Sequence, residues 1–204
     1  MSSTISATER KALTEALWPP DAWSFMKTWV ILDGARDERI VRAVEGTNLE
    51  KCCLYAGNIS PQFREVAPYL VRFDRGDKFT EYVLEHGWGE AWGVLFSSQA
   101  SMDTLRKHFR KFLRVTDEAG RRLLFRYYDP RVLRIYLPTC NNEELTTIFS
   151  PLERFVVEAE GGKAAVEYRF SGLKVKSRRI DLESAGQNQA TENQPGDGTE
   201  ASRV

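Results

Sequence analysis

An excess of charge of either sign is the first thing this chain lacks. Lys plus Arg number 29 and Asp plus Glu number 29 among 204 residues, a formal net charge of zero. Dedicated nucleic-acid binders normally carry a basic footprint, so neutrality argues against that class and leaves only local basic patches. Cysteine is sparse: Cys52, Cys53 and Cys140 contain no CxxC pair, which disfavours a zinc framework. Cys52 and Cys53 on an apolar strand would face opposite sides, and buried, reduced thiols of a cytoplasmic protein are the expectation. Histidine is scarcer still, His86 and His108, with no HExxH spacing, and no serine sits in a GxSxG elbow. No Gly-rich phosphate loop follows an apolar run, which removes the simplest nucleotide-binding readings. The opening "MSSTISATERKALTEALW" has no continuous apolar core like that of a signal peptide. No later run approaches the roughly 20 apolar residues of a membrane span. A cytoplasmic protein with no cofactor, no metal, no membrane and no nucleic-acid partner is expected.

What is present is enough for one packed core: 42% of residues are hydrophobic and 11% aromatic. Ser6 and Glu9 have the spacing of a capping box, and Leu13, Ala16 and Leu17 share the face of a helix that Pro19 and Pro20 stop near Trp18. "SFMKTWVILDG" reads as a strand closing in an Asp-Gly turn, and "RDERIVRAVEG" as a helix with Ile40, Val41 and Val44 inward. "CCLY" and "PYLVRF" read as buried strands, "DKFTEYVLEHG" as a helix capped by Asp77, and "AWGVLFSS" as a strand. From about Ser101 to Leu113 the pattern is amphipathic: Met102, Leu105, Phe109, Phe112 and Leu113 on one arc, Arg106, Lys107, Arg110, Lys111 and Arg114 on the other. "RRLLFRYYD" alternates as a strand, "PRVLRIYL" and "NEELTTIF" read as short helices, and "ERFVVEAEGGKAAVEYRF" as a hairpin turning at Gly161 and Gly162. The fold class predicted is α+β: a mixed sheet with packed helices in a single compact domain, plus a C-terminal hairpin. Residues 1–24 hold the capped helix, 25–182 the main domain, and 183–204 a polar tail predicted to be disordered.

Chemistry concentrates at "FRYYDPRVLRIYLP", Phe125 to Pro138. Asp129 followed by Pro130 is a helix start, Asp as N-cap and Pro at the first helical position. Arg126 and Arg131 flank it, and Arg131 in a first helical turn is poorly placed for the helix dipole unless an acidic partner holds it. A cap and an ion pair account for every residue there; the alternative is a small hydrolase or transferase using Asp129, Arg131 and His108. Arg106, Lys107 and Lys111 are candidate partner contacts on a helix face that Asp103 can partly neutralise at i+3 and i+4. Lys174, Lys176, Arg178 and Arg179 form a second basic strip, a docking surface for an acidic partner or simply a soluble exit. Trp88, between Gly87 and Gly89, is the candidate exposed anchor, whereas Trp92 opens an apolar strand and belongs to the core.

Taken in order, "WVILDG", "CCLYAG", "APYLVRF", "WGVLFSS", "LRKHFRKFLRV" and "FRYYDPRVLRIYLP" resemble the adaptor and effector-chaperone family of bacterial type VI secretion systems, the Tap or TEC family. The likeness runs from about Trp29 to Val157. Its most specific part is Phe125, Arg126, Asp129, Pro130 and Arg131, preceded by a helix matching at Leu105, His108, Arg110 and Leu113. The resemblance implies a cytoplasmic, non-catalytic protein that binds a toxin effector and loads it onto the secretion spike. The spike partner implied is of the valine-glycine-repeat type, sometimes with a tip protein. Two features depart from the family pattern. Ser150 stands where a glycine usually precedes the proline, here Pro151, and the chain ends in a hairpin, basic strip and polar tail where longer relatives add helices.

Overall fold

The computed structural model describes residues 5–19, 25–116, 119–172 and 174–183. The tail from Ser184 onward, predicted to be disordered, lies outside the described residues. In chain order the elements are α1 (Ala7–Leu17), β1 (Lys27–Asp33), α2 (Glu38–Gly46), β2 (Lys51–Cys53), α3 (Pro61–Glu65), β3 (Pro68–Phe73), α4 (Lys78–Gly87) and β4 (Gly93–Ser98). There follow α5 (Met102–Arg110), β5 (Arg114–Thr116), β6 (Arg122–Leu124), α6 (Pro130–Tyr136), α7 (Asn142–Phe149), β7 (Arg154–Ala159), β8 (Ala164–Ser171) and β9 (Lys174–Asp181).

Helix starts follow local hydrogen bonding. The Glu9 amide donates to the Ser6 hydroxyl at 3.2 Å while the Ser6 amide donates to the Glu9 carboxylate at 2.7 Å, completing the capping box of α1. Side chains of Asp37, Asp77, Ser101, Asp129 and Asn141 accept from first-turn amides of α2, α4, α5, α6 and α7. Each such cap is worth about 1 kcal/mol.

Seven strands form one sheet in the order β2-β3-β1-β4-β7-β8-β9, and every ladder in it is antiparallel. With helices packed on it, this is the expected α+β architecture. β3 and β4 both pair with β1, so they run parallel to each other with β1 between them, and α4 makes the crossover. Alternation sends Val30 and Leu32 to one face and Trp29 and Ile31 to the other. On the first face α1, α2 and α4 contribute Leu13, Ile40, Val44, Val83 and Leu84; on the second, α5, α6 and α7 contribute Leu105, Phe109, Leu133, Leu145 and Phe149. Two apolar layers thus sandwich the sheet. Cys52 and Cys53 pack against opposite layers, as their alternation requires.

Three local readings need correction. The strand predicted through "RRLLFRYYD" ends at Leu124. A tight turn follows, closed by the Asp129 amide on the Arg126 carbonyl at 3.0 Å, and it breaks the two-residue period. Tyr127 and Tyr128 are therefore both buried, not on opposite strand faces; the Tyr127 ring stacks on Phe109 at 5.7 Å and its hydroxyl donates to the Phe109 carbonyl at 3.0 Å. The basic strip from Lys174 is itself a strand, β9, which extends the C-terminal hairpin to three strands. α3, the five-residue helix after "NIS", was not anticipated.

Candidate functional site

The Phe125–Arg131 junction sits where several strand and helix ends meet. Asp129 is buried and accepts from the Arg131 amide at 2.9 Å, and the Arg131 guanidinium returns to the same carboxylate through Nε at 3.0 Å and Nη2 at 2.6 Å. Burial opposes the charge on Asp129, but these hydrogen bonds outweigh it and hold the carboxyl below its usual range. Asp129 is therefore the acidic partner that lets Arg131 occupy the first turn of α6, behind buried Pro130. Arg126 turns the other way and forms an ion pair with Asp33, the buried last residue of β1. The two arginines thus serve two different carboxylates. Phe125, half-buried, packs its ring edge-on to Tyr136 at 4.7 Å, tying the junction to the far end of α6.

At the same end of the sheet, sequence reasoning missed Glu158, the buried penultimate residue of β7. Its carboxylate accepts from the amides of Gly89 at 2.7 Å and Ala91 at 2.9 Å, and burial pushes its pKa up to about 7. Arg134 of α6 donates to the Glu158 backbone carbonyl. A single glutamate in an alternating strand gives no sequence signal; only the approach of the 89–91 turn reveals its role.

Trp88 is not an exposed anchor. It is 5% exposed, and its indole N–H donates to the Gly162 carbonyl at 2.8 Å. Gly89 at φ +89° and Gly162 at φ +92° pack backbone to backbone: a Cβ on Gly89 would lie 2.8 Å from the Gly161 oxygen. Gly89 permits this close approach of two turns and Gly87 makes room for the Trp92 ring, so neither presents Trp88 to solvent. Trp92 lies in the core.

The basic arc of α5 divides. Arg110 is half-buried and reaches back to the loop after β2, donating to the carbonyls of Leu54 at 2.9 Å and Tyr55 at 2.6 Å, so it clamps that loop. Arg106 is half-buried, with Nε shielded and without a hydrogen bond among the described residues. Lys107 is exposed and paired with Asp103 at 2.6 Å, and Lys111 is exposed. The helical wheel placed Arg106 and Arg110 outside because it carries no information about the neighbouring β2 loop. His108 is buried with Nε2 at 3.0 Å from the Ile148 carbonyl; burial lowers its pKa to about 4, so the ring is neutral and donates there. No hydrogen bond joins it to Asp129 or Arg131. Two wide clefts, of about 790 Å³ beside α7 and β9 and about 710 Å³ between α2 and α4, are lined by none of these three residues.

What lies bare is elsewhere. β5 and β6 pair as a separate two-stranded ribbon in which every residue is exposed, including Val115 at 40%, Leu123 at 46% and Leu124 at 50%. Ile135 of α6, the helix that Phe125 joins to the ribbon, is 74% exposed. Adjacent Leu123 and Leu124 were the available signal, since two consecutive strand residues cannot both enter one core. On β9, Lys174 and Lys176 are exposed. Among the described residues no group of three or more His, Cys, Asp or Glu is placed to hold a metal ion, and no helix is long and apolar enough to cross a membrane.

The fold and these surfaces define a layered α+β scaffold whose buried ion pairs fix its shape and whose apolar ribbon and basic edge face outward. The chain belongs to the family described as Domain of unknown function (DUF4123), whose model matches residues 28–147, more than half of the chain. That family is associated with adaptors of type VI secretion effectors, an adaptor role rather than catalysis. The match runs from β1 into α7, so β7, β8 and β9 lie beyond it. Comparison with curated proteins and with solved structures gave no match.

Proposed function

We propose that this protein is a cytoplasmic adaptor-chaperone that binds a type VI toxin effector and delivers it to the secretion spike, a valine-glycine-repeat protein with or without a tip protein. The observation that carries the reading is the β5–β6 ribbon, with Val115, Leu123 and Leu124 bare on a domain whose other strands pack into two cores. Exposed apolar side chains clustered on one small element mark a protein contact. Covering the remaining leucine surface on docking is worth about 1 kcal/mol for each side chain. Rim charges, Arg114 and Arg122 on the ribbon itself, are suited to steering and to partner choice rather than to affinity. Membership in a family associated with effector adaptors supplies the class of cargo.

Co-expression with its cognate toxin effector tests the reading. The expected result is more soluble toxin and a complex that survives gel filtration. Leu123→Asp with Leu124→Asp should abolish that complex and leave the melting temperature unchanged. Equal toxin solubility with and without this protein, and no complex, would overturn the proposal.

A further inference from the structure

β9 closes one side of the seven-stranded sheet. Its inner edge pairs with β8 over eight residues, from Ala164↔Asp181 to Ser171↔Lys174, and no described strand pairs with its outer edge. Alternate residues along that edge project unpaired N–H and C=O groups outward, a full-length template for another strand. Lys174, Lys176 and Arg178 share one strand face, at intervals of two residues. Lys174 and Lys176 form no ion pair among the described residues, while Arg178 lies 3.5 Å from Glu167. The cleft of about 790 Å³ opens beside this strand, with Phe149, Leu152 and Phe170 in its walls along with Lys176 and Arg178.

We propose that the outer edge of β9 takes up an extended acidic polypeptide segment by strand addition. Backbone pairing supplies affinity, Lys174 and Lys176 select carboxylates at alternate positions, and the cleft beside them accepts apolar side chains. The three features point to the same occupant. A nucleic acid satisfies the lysines, but its phosphate oxygens only accept, so the outward carbonyls of the edge would be left without donors. A second copy of this chain satisfies the ladder, but antiparallel self-pairing brings basic residues together: Lys176 against itself in one central register, Lys174 against Arg179 in the next. Like charges directly opposite destabilise a strand pair. An acidic strand alone satisfies both. β9 lies outside the family match and apart from the β5–β6 ribbon, so this inference stands independently of the toxin reading.

The probe is an acetylated, amidated eight-residue peptide alternating Glu and Val, applied to the full-length protein. Fluorescence anisotropy should show saturable binding, and hydrogen exchange should slow at the β9 amides. Replacing Glu by Lys in the peptide should remove binding. A fully N-methylated form, which keeps the charges and lacks every backbone donor, should bind about tenfold more weakly. Lys174→Glu with Lys176→Glu should also weaken binding about tenfold, at an unchanged melting temperature because both side chains are exposed. No binding of the acidic peptide overturns the proposal. So does equal binding of the N-methylated form, which would mean charge attraction alone, or full affinity in the double variant, which would mean a different site. The Leu123→Asp/Leu124→Asp variant should bind the peptide as the parent chain does, so failure here is distinguishable from failure of the adaptor reading.

Discussion

Arg154 and Glu167 meet across β7 and β8, Nη1 to Oε2 at 2.6 Å, with side chains only 1% and 6% exposed. The same guanidinium donates to the Ala16 and Leu17 carbonyls, each at 2.9 Å, and to the Ser97 hydroxyl at 3.1 Å. One buried cation therefore satisfies the C-terminal carbonyls of α1 and fixes that helix on the sheet. Arg154→Ala should cost about 3 kcal/mol, because it leaves two helix-end carbonyls without their buried donor and takes from Glu167 its buried partner, leaving it paired with Arg169 at 2.9 Å. Urea unfolding gives the number, and hydrogen exchange should show the α1 amides losing protection first. A loss under 1 kcal/mol would mean that α1 docks by its leucines alone.

Removing the cap of α6 should be milder. Asp129→Ala eliminates the acceptor of the Arg131 amide but leaves Arg131 half exposed and hydrated, so the expected cost is about 1–2 kcal/mol. The Asp129 pKa is lowered in the folded state, so its contribution is present above the ordinary carboxylate range and is lost as pH falls through the folded value. The mutant and parent melting temperatures should therefore converge in strong acid. A constant gap down to low pH would contradict this.

Glu158 and His108 should impose opposite pH slopes on stability. The folded pKa of Glu158 is raised from 4.5 to about 7, so its contribution is full below 4.5 and is lost as pH rises toward 7. The folded pKa of His108 is lowered from 6.5 to about 4, so its contribution is full above 6.5 and is lost as pH falls toward 4. Each shift corresponds to about 3 kcal/mol, and between pH 4.5 and 6.5 the two should nearly cancel. Single variants expose them. Stability of Glu158→Gln should rise with pH across that window, and stability of His108→Gln should fall. Urea midpoints measured at half-unit pH steps decide; parallel profiles for both variants would show that neither group controls the slope.

Trp88→Ala should destabilise by about 3–5 kcal/mol, the cost of truncating a large buried ring. Trp88→Phe retains most of the packing and loses the hydrogen bond to Gly162, for about 1 kcal/mol. Thermal melts separate the two. Near-parental stability for the alanine variant would return Trp88 to the surface.

Much of this architecture is determined by local rules that the sequence carries by itself. Ser6 with Glu9, Asp37, Asp77, Ser101, Asp129 and Asn141 each mark a helix start, because a cap needs only an acceptor two or three residues before an orphan amide. The alternation of Trp29, Val30, Ile31 and Leu32 announces a strand buried on both faces, since successive side chains must point oppositely. The Asp129–Pro130–Arg131 junction belongs to the same legible set: its contacts close within three residues. The tertiary structure alone decided the rest. Arg110 finds the Leu54 carbonyl 56 residues away and Arg154 finds Ala16 138 residues away. Whether such a cation faces water or a row of orphan carbonyls depends on which backbone the fold brings beside it, and no pattern along one helix or strand encodes that. Trp88 was misread for the same reason. Flanking glycines mean close approach or exposure, and only the arrival of the 160–162 turn selects the first.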